Sequence, residues 1–186
     1  MLTTMSIHIR TATAGDAAPA CTVLRRSILE CCAQDHQNAP AVLTAWLGNK
    51  TPHNVGTWLA APINHMLVAE RDGVLVGVAL LTQAGKLSLC YVLPEAQHCG
   101  IGKALLAGVE AKARAWGIGV LRLHSTTAAR AFYARNGYTN AGKEKSCYGL
   151  ECDFFWKHLD AEHGPDSAAS KRYCACGAQP PADASA

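Results

Sequence analysis

No apolar run in this chain is long enough to cross a bilayer. The longest uninterrupted stretch lies near Val74–Leu81, far short of the roughly 20 residues a spanning helix needs. Nor do the opening residues, Met1–Arg10, hold an apolar core of signal-peptide length, so the expectation is a cytoplasmic protein without a membrane partner. A long Lys/Arg run is also missing. The formal charge of +3 is spread thinly, Arg25-Arg26 and Lys143/Lys145 are only small basic spots, and nucleic acid is not an expected partner.

An even, regularly spaced cysteine framework is lacking as well. The chain has nine cysteines at scattered spacings, an odd number that does not suit a secreted disulfide scaffold. Cys21, Cys90 and Cys152 fall in apolar helix or strand patterns, where a thiol behaves as a small hydrophobe. Cys31-Cys32 and Cys174-x-Cys176 are the close pairs, and their spacing suits a zinc site poorly. No metal is expected.

What remains is an ordinary globular balance. With 186 residues, 49% of them apolar and 17% charged, the chain can build one domain with a full core. Ser6–Ile9 reads as a first strand, and Thr13-x-x-Asp16 as a helix start. Ala20, Val23, Leu24, Ile28 and Leu29 mark one face of a helix running to about Cys32. Asp35–Asn38 and Pro40 form a break. A second helix around Val42–Leu47 ends at Gly48-Asn49, and Lys50–Pro62 is expected to be variable, with one short helical turn. Met66–Glu70 and Val74–Gln83 are strands joined by the hairpin signal Arg71-Asp72-Gly73, and Lys86–Leu93 is a third. Ala104, Leu105, Val109, Ala113 and Trp116 predict a helix ended by Gly117-x-Gly119. Val120–His124 is a strand, Ala128–Arg135 a helix, and strands around Tyr138–Gly142 and Tyr148–Trp156 close the pattern. Beyond Asp160 the chain is rich in Ala, Gly, Pro and Ser, so residues 161–186 are expected to be a flexible tail. The fold class is α/β, a mixed but mostly antiparallel sheet flanked by helices.

The most informative stretch is Leu87–Leu106. It reads as an apolar strand, a turn at Pro94, the glycine loop Gln97-His98-Cys99-Gly100-Ile101-Gly102, and a helix beginning with Lys103-Ala104. A glycine loop opening a helix presents free N–H groups to a phosphate. Two nucleotide loops fail on residues. A dinucleotide fingerprint needs a third glycine where Leu105 stands and an acid ending the next strand, which instead reads Val120-Leu121-Arg122-Leu123-His124. A P-loop needs Ser or Thr where Ala104 stands.

The words Gln97-x-x-Gly100-x-Gly102, entered from a strand, resemble the acetyl-CoA loop of the GCN5-related N-acetyltransferases. A second segment, Ala129-Arg130-Ala131-Phe132-Tyr133-Ala134-Arg135-Asn136-Gly137-Tyr138, resembles the same family's Ala-x-x-Phe-Tyr-x-x-x-Gly-Phe/Tyr motif. The resemblance covers roughly residues 7–160 and implies the acyl-CoA N-acyltransferase fold. It implies acetyl-CoA as co-substrate, with Cys90, Tyr91 and Val92 lending backbone to the pantetheine arm. His98, Cys99, Gly100, Ile101, Gly102 and Lys103 would wrap the pyrophosphate behind Gln97. Thr126 stands where several members carry a cofactor-binding asparagine, and Ala129 opens the motif. Tyr133 occupies the place of the tyrosine that protonates the departing thiolate, chemistry a phenol can perform; Phe132 is expected in the core.

The implied reaction is direct attack of a primary amine on the thioester in a ternary complex, with a backbone N–H near Val92 holding the oxyanion. The amine must first lose a proton. The glutamate used by ribosomal-protein acetyltransferases is replaced by Leu121, and the strand Lys86–Leu93 offers no acid in place of the histone-type glutamate. Glu30, Asp35 and His36, after the first helix, are the candidate bases; His124 is a further one, or a satisfied strand histidine. A covalent route through Cys90 or Cys99 is the minor alternative. Residues Cys31–Pro62 favour a small polar amine over a protein acceptor, and homodimers are common in the family. The rival reading is a non-catalytic acyl-CoA-binding regulatory module; another is an interaction protein using the tail.

Overall fold

The computed structural model describes residues 7–146 and 148–159. Within the strand Val74–Thr82, every position from Val76 to Leu81 is buried, which requires cover on both faces. This strand is β3 of a four-stranded antiparallel sheet, ordered β1 (Ile7–Thr11), β2 (Asn64–Arg71), β3, β4 (Leu87–Val92). The expected hairpin joins β2 to β3, with Asp72 and Gly73 at φ 53° and 78°, the left-handed pair that matches the twist of the flanking strands.

One face of β3 meets the helix that follows the glycine loop. A Cβ added at Gly77 would lie 3.0 Å from Leu105 Cδ1 and 3.2 Å from Ile101 Cγ2, so backbone and helix nearly touch. The helices before it in the chain are α1 (Ala17–Cys31), α2 (Ala33–His36), α3 (Pro40–Leu47) and α4 (Pro52–Ala60); the glycine-led one is α5 (Ile101–Ala115). The helix α1 packs on β3 and β4, and α4 packs on both α1 and β2.

Two differences from the sequence reading lie here. Lys50–Pro62 holds a helix of nine residues rather than one short turn: Pro52 presets its first turn, and Thr51 accepts a hydrogen bond from the Asn54 N–H at 3.1 Å. Inside the expected break, α2 forms one turn and is ended by Gln37 and Asn38 at φ 48° and 55°. A single turn has no periodicity to read. The tail, residues 161–186, lies outside the described residues.

A second antiparallel sheet has the order β5 (Val120–Ser125), β7 (Glu151–His158), β6 (Thr139–Lys145), with α6 (Arg130–Arg135) between β5 and β6. The two sheets meet at the start of β4, through a parallel bridge between Lys86 and Arg122 and a bond from the Arg122 N–H to the Gly85 carbonyl at 2.9 Å. No further pairing joins β4 to β5 among the described residues, so their facing edges carry unpaired backbone groups. One core nevertheless runs through both sheets, from Leu67, Val78 and Leu81 to Leu121, Leu123 and Phe155. Among the described residues no helix is long and apolar enough to cross a membrane.

Candidate active site

The chain leaves β4 through a single turn of 3-10 helix, Pro94–Ala96, and reaches Gly100 at φ +82°, a conformation that glycine adopts without strain. Gly100 caps α5 and has no side chain to satisfy the first-turn N–H groups, and nothing stands within 4 Å of where its Cβ would be. The N–H groups of Ile101, Gly102 and Lys103 therefore have no side-chain cap at the positive end of a helix dipole. Gln97 secures the loop from behind: its Nε2 donates to Cys31 Sγ at 3.0 Å and to the Val92 carbonyl at 3.5 Å. Ser27 Oγ donates to the same carbonyl at 3.1 Å, so α1 is tied to the end of β4.

Beside this loop a cavity of about 450 Å³ follows the open side of β4 towards α6. The expected residues Cys90, Tyr91, Val92, Gln97, His98, Gly100, Gly102, Lys103, Thr126, Ala129 and Tyr133 all line it. Two others do not. Cys99 is exposed outside the lining, and the Ile101 side chain is 1% exposed in the core, so only its backbone can serve the site. Phe132, expected in the core, is half-buried on the cavity wall, its ring 3.4 Å from where a Gly102 Cβ would stand. Arg135 and Asn136 join it from the same helix face, a spacing from Ala129 and Phe132 that could have been read. Ser27, Cys31 and Cys32 come from the end of α1, with no local signal to announce them.

Tyr133 is 5% exposed and ringed by Phe132, Tyr138 and Phe155 at centroid distances of 5.1, 5.6 and 6.0 Å. Burial, followed by the neighbouring Cys90, Tyr91 and Tyr138, holds its phenol well above the ordinary range, so it keeps its proton. Burial also pushes the Cys90 thiol up to about 11. A thiol held there is a poor nucleophile near neutral pH, which disfavours the covalent route through Cys90.

A smaller cavity of about 130 Å³ shares Leu87, Ser88, Tyr91, His124, Ser125 and Thr126 with the first, so the two meet in the cleft between the sheets. It adds Asp35, Trp46, Lys50, Tyr148 and Glu151. Asp35 Oδ1 accepts the Thr127 N–H at 2.8 Å, tying α2 across the cleft, while its Oδ2 is buried without a hydrogen-bond partner. The other two candidate bases are placed elsewhere. Glu30 pairs with Arg26 on the exposed side of α1 and lines neither cavity. His36 is 1% exposed, with Nε2 3.2 Å from the Ile28 carbonyl and Nδ1 accepting the Asn38 N–H, so both ring nitrogens are engaged in holding α2. His124 lies 2.8 Å from Glu144, a partner twenty residues away that strand periodicity does not reveal.

Residues 34–152 match the family model described as the acetyltransferase (GNAT) domain. An amino-acid acetyltransferase of Azotobacter vinelandii is 35% identical over 92 residues, covering 47% of this chain but 21% of that protein. The chain thus matches about a fifth of the length of that curated relative. Among solved structures, a GCN5-related N-acetyltransferase of Rhodopseudomonas palustris superimposes with TM-score 0.73 at 23% identity, over 84% of this chain and 98% of that one. The PaiA N-acetyltransferase of Thermoplasma acidophilum, solved in complex with coenzyme A, gives 0.69 at 23% identity, over 83% and 99%.

Proposed function

Because this chain belongs to the acetyltransferase (GNAT) family, we propose that it transfers an acetyl group from acetyl-CoA to a primary amine by direct attack in a ternary complex. The observation that carries this reading is the continuity of the larger cavity, from the bare helix N-terminus at Gly100–Lys103, along β4, to the buried hydroxyl of Tyr133. The pyrophosphate sits on the first-turn N–H groups of α5, with Lys103 adding charge. The pantetheine arm takes up the unpaired backbone of Cys90–Val92 as an added strand would. The thioester then lies in the cleft near Tyr133, with an N–H near Val92 for the oxyanion. As the tetrahedral intermediate collapses, the phenol of Tyr133 gives its proton to the leaving thiolate.

The acceptor enters from the smaller cavity. At about 130 Å³ that space suits a small amine rather than a protein segment. The unpartnered Oδ2 of Asp35 asks for a hydrogen-bond donor, and an ammonium supplies one with the right charge. The coenzyme A complex of the Thermoplasma acidophilum protein, which shares this fold, supports the choice of cofactor.

Thermal unfolding with added acetyl-CoA tests the reading. At a free concentration about 100-fold above Kd, binding adds roughly 2.7 kcal/mol of stability, so a dose-dependent rise in Tm is expected. An unchanged Tm at millimolar acetyl-CoA would reduce the glycine loop to a turn and remove the proposal.

A further inference from the structure

We propose that the His124–Glu144 pair is the proton acceptor for the incoming amine, a role resting on the acetyl-transfer reading above. His124 stands on β5 where the two cavities meet and lines both. Its Nε2 is 2.8 Å from Glu144 Oε2 on β6, and its ring lies against Phe154 of β7 at 5.5 Å, so three strands set its orientation. The side chains of the pair are 16% and 23% exposed, enough cover to hold the contact and enough opening to exchange protons with water. A carboxylate on Nε2 selects the tautomer with the proton there and leaves Nδ1 as the acceptor. Nδ1 makes no hydrogen bond to any described residue and is not fully buried. None of the other candidate bases combines such a ring nitrogen with a place at the junction.

The proton balance is complete without any further reactant. An alkylammonium, near pKa 10, gives one proton to His124 Nδ1 while Glu144 holds the opposite ring nitrogen at 2.8 Å. The neutral amine attacks the thioester carbonyl; a C–N bond forms, and the C–S bond then breaks with its electron pair on sulfur. Tyr133 protonates that sulfur. The second proton shed by nitrogen restores the phenol, and His124 releases the first to solvent. The charged groups lining the two cavities are Asp35 and Lys50 from the α2–α4 side, Lys86 before β4, Lys103 from α5, Arg135 from α6 and Glu151 from β7, with His98 in the glycine loop and Glu144 of β6 on the His124 ring.

The test compares wild type, His124→Gln and Glu144→Gln, following thiol release from acetyl-CoA with each of the twenty L-amino acids as acceptor, from pH 6 to pH 9.5. For an amine turned over by wild type, the expected result is a fall in kcat of about 10²-fold for His124→Gln at pH 7. That deficit narrows as the pH rises towards 9.5, because solvent then removes the amine proton without help from the side chain. Glu144→Gln shows a milder loss with the same pH trend. The acetyl-CoA-dependent rise in Tm is retained in both variants, which reports their folding and cofactor site separately. Variant profiles running parallel to the wild type, or unchanged rates, would overturn the proposal and leave His124 a structural residue. Absence of turnover or of an acetyl-CoA shift in the wild type would instead overturn the underlying reading.

Discussion

At the scale of single residues, burial decides what the chemistry can be. Tyr133 and Cys90 are neighbours on one cavity wall, and desolvation raises both groups. For the cysteine this is disabling, since a nucleophile needs its thiolate. For the tyrosine it is useful, since a proton donor must keep its proton until sulfur becomes basic. Phenylalanine replaces tyrosine without changing the ring's packing, so Tyr133→Phe is expected to leave the acetyl-CoA shift in Tm intact. Its rate, followed by thiol release, should fall by about 10²-fold. Because the wild-type phenol lies well above the ordinary range, Tyr133 should not impose a loss of activity between pH 7 and pH 9. Tyr133 was legible in the sequence through its motif. The Glu144 partner of His124 was not, because a contact between β5 and β6 depends on how β7 lies between them.

Among the elements, the decisive join is the start of β4. The two sheets touch through Gly85 and the Lys86–Arg122 bridge and then part, and the parting is what opens both cavities. Gly85 has φ +76°, and a Cβ there would fall 2.7 Å from the Val120 carbonyl oxygen. Gly85→Ala should therefore destabilise the protein by on the order of 2 kcal/mol, from backbone strain together with the clash. Urea unfolding would measure it, and a change within 0.5 kcal/mol would show that the junction yields easily. The antiparallel hairpin β2–β3 and the long helices α1 and α5 were readable from period and turn chemistry. The sheet order β5–β7–β6 was not, since it reverses the chain order of the last two strands and no local pattern encodes that choice.

Over the whole molecule, stability and site are supported in different places. Far from the cleft, Arg10 on β1 binds Asp16 through two bonds of 2.8 Å and also Glu70 on β2. Asp16 further accepts the Thr13 N–H at 2.6 Å and its hydroxyl at 2.9 Å, closing the predicted Thr13-x-x-Asp16 box. The Arg10 guanidinium, ahead of the Thr13 bonds, holds the Asp16 carboxyl well below its ordinary 3.8. The resulting stabilisation is fully present above about pH 4. As pH falls further the unfolded chain takes up the proton first, and the contribution fades as native Asp16 itself becomes protonated. Asp16→Asn should lower stability by about 2 kcal/mol at pH 7, and the gap in Tm between variant and wild type should narrow towards pH 3. A gap independent of pH would assign the loss to packing.

What the sequence by itself determined is the local part: the strands and amphipathic helices, the hairpin, the capping box, the glycine loop and the tyrosine motif. Each is set by period, turn chemistry or a short run of residues, and each acts over one or two turns of chain. Only the tertiary structure decided that the sheets part after Gly85, that two cavities meet at His124, that Glu144 holds that ring, and that His36 is consumed by holding α2. These outcomes depend on residues brought together across eight to more than sixty positions, by a core that buries both sheets at once. Hydrophobic burial selects that arrangement through total area and shape, and neither quantity is written in any one segment.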